Sequence, residues 1–415
     1  MTLGLPRDWV DRRGVALADF YRDLHAHPEL SFQEHRTAGK VQEAIAPLGL
    51  EVASGVGGTG VVAVLRNGSG PVVWLRADFD ALPVAEQTGL AYASTARGTD
   101  PDGKDVPVMH ACGHDMHTAA LVGTLQLLTE LKDNWSGTVV AVFQPAEEVG
   151  GGAAAMIADG ILDRFPKPDV ILGQHVTPLP AGMIGYKTGV ALAAADSLKV
   201  QLFGRGGHGS QPESTIDPVV MASNVVQRLQ TIVSRELSPF DPAVVTVGYL
   251  HAGAKDNIIP DDAELGVNVR TFDEKVRSKT LAAITRIAQG ESMASGADKE
   301  PAVTAMHSFP VTVVDAPVMQ ELARVFRGHF GADRVFESPS PLAGSEDVGV
   351  FGTTAGVPTA FWFWGGYAQE RIDESARSGR PVPSNHSPQF APVLEPTLTT
   401  GVEALTIAAL SRLNA

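Results

Sequence analysis

Short apolar runs rich in valine recur through the first half of the chain. They begin after Gly60, Pro71, Gly137 and Pro168. Runs of this kind, bounded by glycine, proline or aspartate, are typical of strands that are buried on both faces of a sheet. Apolar residues at helical spacing predict helices over 8–24, 34–48 and 118–131, with Asp115 as the expected N-cap of the last one. Strands that alternate with helices predict an α/β fold with helical layers on both faces of the sheet.

The pattern changes after Gly189, where the chain favours a smaller α+β unit. The expected elements are a strand soon after Gly189, a helix over 217–235, strands over 244–250 and 263–270, a helix over 273–293 and a strand within 302–307. This order is typical of a compact ferredoxin-like unit.

The α/β pattern resumes after this unit. The expected elements there are a helix over 317–330, a strand over 358–364 and a closing helix over 396–413. We therefore expect a smaller domain, 189–305, inserted into a larger domain formed by 1–188 and 306–415.

The charge balance narrows the classes of partner. The 415 residues include 32 Lys and Arg against 47 Asp and Glu, which gives a net charge of −15 and an isoelectric point near 5.2. A surface field of this sign repels nucleic-acid phosphates and anionic lipids, so we expect neither nucleic acid nor a membrane as a partner.

The single cysteine and the N-terminal residues bear on the compartment. Cys112 has no second cysteine with which to form an internal disulfide, which favours a reducing compartment. Charged residues interrupt the first twenty positions, so no signal peptide is expected. The chain also lacks the roughly 18 uninterrupted apolar residues that a membrane span needs. These features predict a cytoplasmic protein.

The densest group of residues able to bind a metal precedes the helix over 118–131. It contains His110, Cys112, His114 and His117. Junctions between strands and helices are where ligands gather in α/β sheets. A zinc site needs about four ligands, so further donors must come from elsewhere in the chain.

Further donors follow two of the predicted strands and one loop. Glu147 and Glu148 come directly after the strand near 138–143, His175 ends the apolar run after Pro168, and His386 lies in a proline-flanked loop. Two adjacent carboxylates repel each other unless a cation separates their roles, so one of them can bind metal while the other handles protons.

Two other interpretations of these residues stay open at this point. Cys112 could be a nucleophile with His175 or His386 as its base, although that chemistry leaves the glutamate pair unexplained. His110 and His117 fit best as hydrogen-bonded structural histidines rather than ligands.

Nine motifs in order along nearly the whole chain carry a resemblance to a known family. They are HPELSFQEH (27–35), RADFDALP (76–83), MHACGHDMH (109–117), QPAEE (144–148), GQH (173–175), GRGGHGSQP (204–212), NIIP (257–260), GSED (344–347) and NHSP (385–388). Together they resemble the M20 metallopeptidase family. More narrowly, they resemble its amidohydrolase branch of hippurate hydrolases, indoleacetyl-amino-acid hydrolases and N-acyl-amino-acid aminoacylases.

The resemblance implies a mixed-sheet catalytic domain that holds two metal ions, with an inserted α+β lid. The implied ligands are Cys112, His114, Glu148, His175 and His386. Glu147 is the implied general base. The CGHD segment stands where the wider family has a bridging aspartate, which implies a bridging role for the Cys112 sulfur. Asp80 matches an aspartate that orients a ligand histidine, although Asp78 here occupies that histidine's place.

The resemblance also assigns residues in and near the lid. A lid histidine matching His208, contributed by the partner subunit of a dimer, is the implied oxyanion donor, and Asn257 assists it. Arg270 is placed to bind a substrate carboxylate. Ser345 and Glu346 either line the substrate pocket or cap the helix after them. The alternatives without a catalytic role are that His208 lies in a flexible glycine turn and that Arg270 is a surface residue of a strand.

We therefore expect a homodimeric amidohydrolase that uses two divalent ions, zinc with manganese or cobalt as alternatives. Its expected reaction splits N-acyl-L-amino acids into a carboxylic acid and a free amino acid. A dipeptidase or carboxypeptidase on the same scaffold is the alternative within enzymes. A catalytically inactive binding protein that keeps the fold is the alternative from another class.

Overall fold

The chain forms two compact units in a computed structural model that describes residues 9–414, apart from the side chains of Val10, Asp11 and Arg13. The first unit contains the residues up to Ala191, Val313–Ser340 and the segment from Asp347 onward, and the second contains Leu192–Thr312 and Pro341–Glu346. Residue 8, the expected start of the first helix, lies outside the described residues.

Helices occupy both units. In the described chain the α-helices are α1 (Trp9–Ala26), α2 (His35–Ile45), α3 (His114–Glu130), α4 (Gly152–Ala158), α5 (Ile161–Arg164), α6 (Pro218–Thr231), α7 (Glu274–Ala294), α8 (Ala316–Phe330), α9 (Gly349–Ala355), α10 (Gln369–Ser378) and α11 (Thr397–Leu410).

Strands form one large sheet, one medium sheet and three short pairs. In the described chain they are β1 (Glu51–Val56), β2 (Gly60–Asn67), β3 (Val72–Asp78), β4 (Arg97–Thr99), β5 (Asp105–Pro107), β6 (Gly137–Gln144), β7 (Val170–Pro180), β8 (Ile184–Tyr186), β9 (Gly189–Leu192), β10 (Ala194–Phe203), β11 (Gly207–His208), β12 (Ala243–Ala252), β13 (Ile258–Ile259), β14 (Asp262–Thr271), β15 (Ala302–Phe309), β16 (Thr312–Val314), β17 (Val335–Glu337) and β18 (Thr359–Tyr367).

The large sheet of the first unit is mixed. Its strand order is β1-β2-β6-β3-β7-β18-β8-β17. β3 runs parallel to both β6 and β7, and β18 runs parallel to β7, whereas β2 is antiparallel to β1 and β6. The four valine-rich runs are β2, β3, β6 and β7, and all of β6 is buried. The mixed α/β class predicted from the sequence is confirmed.

Helix α3 is buried along most of its length, because it packs against α1 and α11 as well as against the sheet. The prediction that Asp115 caps this helix is wrong. The N-cap is Gly113, and Asp115 lies in the first turn, where its carboxylate accepts a hydrogen bond from His25 Nδ1 at 2.6 Å. A buried imidazole competes for the carboxylate that the sequence pattern assigns to the helix end.

The parallel strands place polar residues at one edge of the sheet. β3 ends at Asp78, which pairs in register with Gln144 at the end of β6. Since the carboxyl ends of parallel strands meet at the same edge, the residues that follow β3 and β6 lie beside each other.

The second unit is an antiparallel sheet covered by two helices. Its strand order is β12-β14-β10-β15, with every neighbouring pair antiparallel. Alternate residues of β10 and β14 are buried against α6 and α7, including Val200, Leu265 and Val267. Asp217 and Asp273 cap these helices by accepting backbone N–H groups of their first turns.

None of the helices within residues 9–414 combines the length and hydrophobicity that crossing a bilayer requires.

Replacement of Gly152 by alanine should destabilise the fold. An ideal Cβ at this position, the first of α4, lies only 1.6 Å from the carbonyl oxygen of Pro145. Relief of such a contact requires the backbone to move, and we expect a loss of about 1–3 kcal/mol in the free energy of unfolding. Urea denaturation of Gly152→Ala against the wild type measures it.

Gly39→Ala is the matched control, because a Cβ at Gly39 in α2 meets no heavy atom within 4 Å. We expect this variant to gain about 0.5–1 kcal/mol, as alanine favours a helix over glycine. Equal stability of the two variants contradicts the steric account of Gly152.

Candidate metal centre

The structure brings the five predicted ligands together in the first unit. Donor atoms of Cys112, His114 and His175 all lie within 4.8 Å of one another, and so do those of Cys112, Glu148 and His386. The two groups share the Cys112 sulfur. The residues come from α3 and the segment before it, the turn after β6, strand β7 and the loop before α11.

Individual distances within the two groups are short. Cys112 Sγ is 3.4 Å from His175 Nε2, and His386 Nε2 is 3.3 Å from Glu148 Oε2. His175 directs its Nδ1 to the carbonyl oxygen of Val176 at 2.7 Å. This hydrogen bond places the proton on Nδ1 and leaves the Nε2 lone pair facing the sulfur.

Two atoms at the centre test whether metal ions fit this site. His114 Nε2 and Glu148 Oε1 are buried and make no hydrogen bond within the described residues, although they are 3.8 Å apart. Ligand atoms at about 2.0–2.3 Å from a tetrahedral ion are about 3.3–3.8 Å apart. A thiol, imidazoles and carboxylates at this spacing fit divalent cations of the zinc type.

The buried carboxylates give the site an excess of negative charge. Asp78, Asp80 and Glu147 are at most 5% exposed, and the side chain of Glu148 is 6% exposed. Burial raises the pKa of Glu148 to about 8, with the charges of Asp80 and Asp78 adding to the rise. Burial lowers the pKa of His114, but the charge of Asp78 and the hydrogen bond to Asp80 prevail and raise it to about 10. Cations are the partners that such a group of carboxylates favours.

The surroundings of Cys112 argue against the cysteine-nucleophile alternative. Burial raises the pKa of this thiol well above its usual value, and the charges of Glu148 and Glu147 raise it further. Nucleophilic cysteines lie in electropositive surroundings that lower the thiol pKa. Carboxylates beside the sulfur are instead expected where the thiol and the carboxylates bind the same cation.

Asp80 holds two parts of the site in place. Its Oδ1 lies 3.2 Å from His114 Nδ1, which leaves Nε2 directed at the centre. Its two oxygens also accept the backbone N–H groups of Glu147 and Glu148, both at 3.1 Å. The hydroxyl of Ser31 donates to Oδ2 at 2.7 Å. Asp80 thus orients an imidazole and fixes the backbone of both glutamates at once.

His117 is excluded from the ligands by its hydrogen bonds. Its Nδ1 lies 2.5 Å from Asp78 Oδ1, and its Nε2 accepts the backbone N–H of Val176 at 2.9 Å. Both ring nitrogens are therefore used within the protein. His110 is also buried, but neither of its nitrogens has a hydrogen-bond partner within residues 9–414, and burial lowers its pKa to about 4.

Several residues that support the site have no role in the sequence-based prediction. Arg76 is buried and donates to Gln144, Asp78 and Asp347 at 2.7–3.0 Å. Asn385 Nδ2 donates to the carbonyl oxygens of Cys112 and Val176 at 3.1 and 3.2 Å. Both residues lie inside quoted motifs, which is the one signal that could have found them.

Glu34 is a further buried carboxylate. It lies next to the turn after β6 that carries Glu147 and Glu148, called the glutamate turn below. Its Oε1 accepts the backbone N–H of Ala146 at 2.9 Å. Burial and the charge of Asp80 raise its pKa to about 7, against hydrogen bonds from Thr59 and Ala146 that lower it.

The predicted lid residues form two pairs in the second unit. His208 pairs with Ile258 across the β11–β13 ribbon, next to Asn257, and both His208 and Asn257 are exposed. The Nδ1 of His208 accepts the backbone N–H of Ser210 at 3.1 Å, which places the ring proton on Nε2.

Arg270 and Ser345 form the second pair. Arg270 is half-buried, donates to the Ser345 hydroxyl at 2.8 Å, and has its pKa lowered by burial. Glu346 is 1% exposed. The helix after these residues begins at Gly349 with Val348 as its N-cap, so neither Ser345 nor Glu346 occupies the cap position.

Comparisons with known proteins agree with this arrangement. The family described as Peptidase family M20/M25/M40 matches residues 74–379. Thermostable carboxypeptidase 1 of Saccharolobus solfataricus is 37% identical over 399 residues, which cover 95% of this chain and 94% of that protein. An N-acyl-L-amino acid amidohydrolase of Geobacillus stearothermophilus is 40% identical over 294 residues, covering 70% of this chain and 76% of that protein.

A solved structure of similar fold is a Bacillus subtilis protein described as a dinuclear metal-binding peptidase from the M20 family. It has a TM-score of 0.74 and 30% identity, and the match covers 97% of this chain and 99% of that one. The family and the enzyme class expected from the motifs are confirmed. The chain belongs to peptidase family M20/M25/M40 and is a hydrolase that acts on amide or peptide bonds.

Proposed function

We propose that this chain is a metal-dependent amidohydrolase that cleaves N-acyl-L-amino acids into a carboxylic acid and a free amino acid. The observation that carries the proposal is the pair of donor groups that share Cys112, with Glu147 beside them. Similarity to an N-acyl-L-amino acid amidohydrolase supports the substrate class.

Two divalent ions would fit the two donor groups. Cys112, His114 and His175 would hold one ion and Cys112, Glu148 and His386 the other, with Cys112 common to both groups. The sulfur and imidazole donors favour zinc, with manganese and cobalt as alternatives. When bound, such a pair of ions lowers the pKa of water and polarises a carbonyl oxygen.

Glu147 is the proposed general base. Its Oε2 lies 3.9 Å from His114 Nε2, so the carboxylate lies directly beside the proposed ligands. The carboxylate takes a proton from the attacking water and then delivers it to the amine that leaves. The Asp80 oxygen that accepts the Glu147 N–H keeps the backbone of this residue in place.

His208 is the proposed donor to the oxyanion of the tetrahedral intermediate. Its ring proton lies on Nε2, and the residue is exposed on the β11–β13 ribbon, so this proton is available to an acceptor. In our proposal the chain is a homodimer and His208 serves the site of the partner subunit, with Asn257 assisting.

Arg270 is the proposed partner of the substrate carboxylate. Its guanidinium is held by Ser345 and by Asn268 Oδ1 at 3.1 Å, which fixes the orientation of its planar donors. Ser345 and Glu346 complete the proposed substrate-binding set. The lone thiol suits a reducing compartment, and we propose the cytoplasm.

A carboxypeptidase is the second candidate, supported by similarity to a carboxypeptidase along 95% of this chain. A carboxypeptidase, like an N-acyl-amino-acid amidohydrolase, cleaves an amide bond and releases an amino acid with a free carboxylate. The two candidates differ in whether an acyl group or a peptide precedes the cleaved bond.

Removal of metal should abolish hydrolysis of N-acetyl-L-amino acids. We expect the purified enzyme to lose this activity after dialysis against a chelator and to regain it with Zn²⁺, Mn²⁺ or Co²⁺, because the proposed ligands then hold ions again. Release of the free amino acid is the measurement, with metal content followed in parallel.

Activity that survives chelation to below one ion per chain rules the proposal out. A panel varied separately in acyl group and amino acid, with dipeptides and longer peptides beside it, decides between the candidates. Faster cleavage of peptides than of every N-acyl amino acid favours the carboxypeptidase.

Substitution of Glu147 by glutamine should remove turnover and leave the metal. The variant keeps all five proposed ligands but has no carboxylate to accept a proton, so we expect kcat to fall by about 100- to 10,000-fold. Steady-state kinetics and metal analysis on the same sample measure both effects.

Glu148→Gln is the matched control, because the neighbouring residue is a proposed ligand. We expect that variant to lose metal content as well as activity. A Glu147→Gln enzyme with near-normal kcat refutes the assignment of the base.

Mixing of two inactive variants tests the role of His208. His208→Ala subunits retain Glu147, and Glu147→Gln subunits retain His208, so a heterodimer contains one complete site if His208 acts across the dimer. We expect activity up to about half that of the wild type per heterodimer. No recovery after native mass spectrometry has shown heterodimers contradicts the proposed exchange.

A further inference from the structure

Glu34 is a buried carboxylate that contacts the backbone of the turn carrying the glutamate pair. The residue is 0% exposed. Its Oε1 accepts the backbone N–H groups of Phe32 and Ala146, both at 2.9 Å. Its Oε2 accepts the hydroxyl of Thr59. All of these partners donate, so the geometry holds the residue as a carboxylate acceptor rather than as a metal ligand.

Three consecutive backbone N–H groups of this turn end on two carboxylates. Ala146 donates to Glu34, while Glu147 and Glu148 donate to the two oxygens of Asp80. Hydrogen bonds from amides to ionised acceptors are stronger than neutral ones. Glu34 and Asp80 together therefore fix the backbone on which both functional glutamates depend.

The turn adopts a conformation that needs such support. Ala146 has φ of +50°, in the left-handed region that non-glycine residues rarely adopt. A residue held there costs about 1–3 kcal/mol and persists where the surrounding structure determines it. The hydrogen bond to Glu34 acts on this strained residue itself.

We propose that Glu34 is a positioning residue, which holds Ala146 in its left-handed conformation and thereby aims Glu147 and Glu148 at the centre. The inference rests on the proposed function, since it takes Glu147 as the base. In this proposal Glu34 acts on the glutamate pair through the backbone N–H of Ala146.

Glu29 provides a closely matched control within the same segment. Its carboxylate also accepts three hydrogen bonds, from the backbone N–H groups of Arg36 and Thr37 and from the Thr37 hydroxyl, at 2.7–3.0 Å. These partners lie at the start of α2 and not in the glutamate turn. Truncation of Glu29 therefore removes the same number of bonds without releasing Ala146.

The test compares metal-loaded Glu34→Ala and Glu29→Ala with the wild type. We expect Glu34→Ala to lower kcat by about 10- to 100-fold, as loss of supporting groups around metal sites does, with KM nearly unchanged. Hydrogen exchange of the peptide spanning 144–150 should become faster in this variant. Glu29→Ala should keep the wild-type kcat and KM and show faster exchange only near residues 36–37.

Conservative variants separate positioning from general stability. Glu34→Gln keeps a carbonyl oxygen that can accept both amides, and we expect it to restore most of kcat. Glu34→Asp withdraws the acceptor by one methylene and keeps the charge, so we expect it to lose kcat. Glu34→Asp replaces Glu34→Ala in the comparison if the alanine variant does not fold.

Three outcomes overturn the inference. They are a kcat unchanged by Glu34→Ala, unchanged exchange at 144–150, and equal losses in the Glu29→Ala enzyme. Failure of the proposed function looks different, because the wild type then hydrolyses no N-acyl amino acid while the exchange comparison still decides whether Glu34 holds the turn.

Discussion

The concentration of buried carboxylates at the carboxyl edge of β3 and β6 constrains the rest of the first unit. Asp78, Asp80, Glu147 and Glu148 are all nearly inaccessible to solvent, and buried charges are costly unless opposite charge or donated hydrogen bonds compensate them. The buried guanidinium of Arg76 compensates these charges on one side, and backbone N–H groups donate hydrogen bonds to them on another. The remaining side faces a thiol and imidazoles, which together with carboxylates form a donor set that fits a divalent cation. The family and the hydrolase class are consistent with that arrangement.

Two histidines one helical turn apart show how the surroundings decide a residue's role. His114 has Nδ1 beside Asp80 and an Nε2 with no hydrogen bond in the described chain, and the charge of Asp78 opposes burial to raise its pKa to about 10. His117 has both nitrogens engaged, and burial lowers its pKa to about 3. The first faces the centre, whereas the second braces α3 against β7. The arrangement at this edge of the sheet therefore depends on a histidine that only holds the structure together as well as on one that faces the centre.

The sequence predicts the elements and donors whose signal is local. Valine-rich runs mark β2, β3, β6 and β7 because burial on both faces leaves no polar alternation, and the motifs mark the donors that converge. Strand β1 escapes because it is largely exposed. The predicted Asp115 cap is wrong because the helix begins before this residue, at His114, and the carboxylate pairs with His25, 90 residues away. Contacts such as Arg76 with Asp347, 271 residues apart, depend on the folded topology and leave no local pattern.

The sulfur that belongs to both donor groups has a thermodynamic consequence for the whole centre. Because Cys112 lies in each group, an ion in one of the proposed positions would change the charge and the placement of a donor in the other. Occupancies that share a donor are linked, and the linkage is reciprocal. In the proposed two-ion centre, neither position would therefore fill or empty independently of the other.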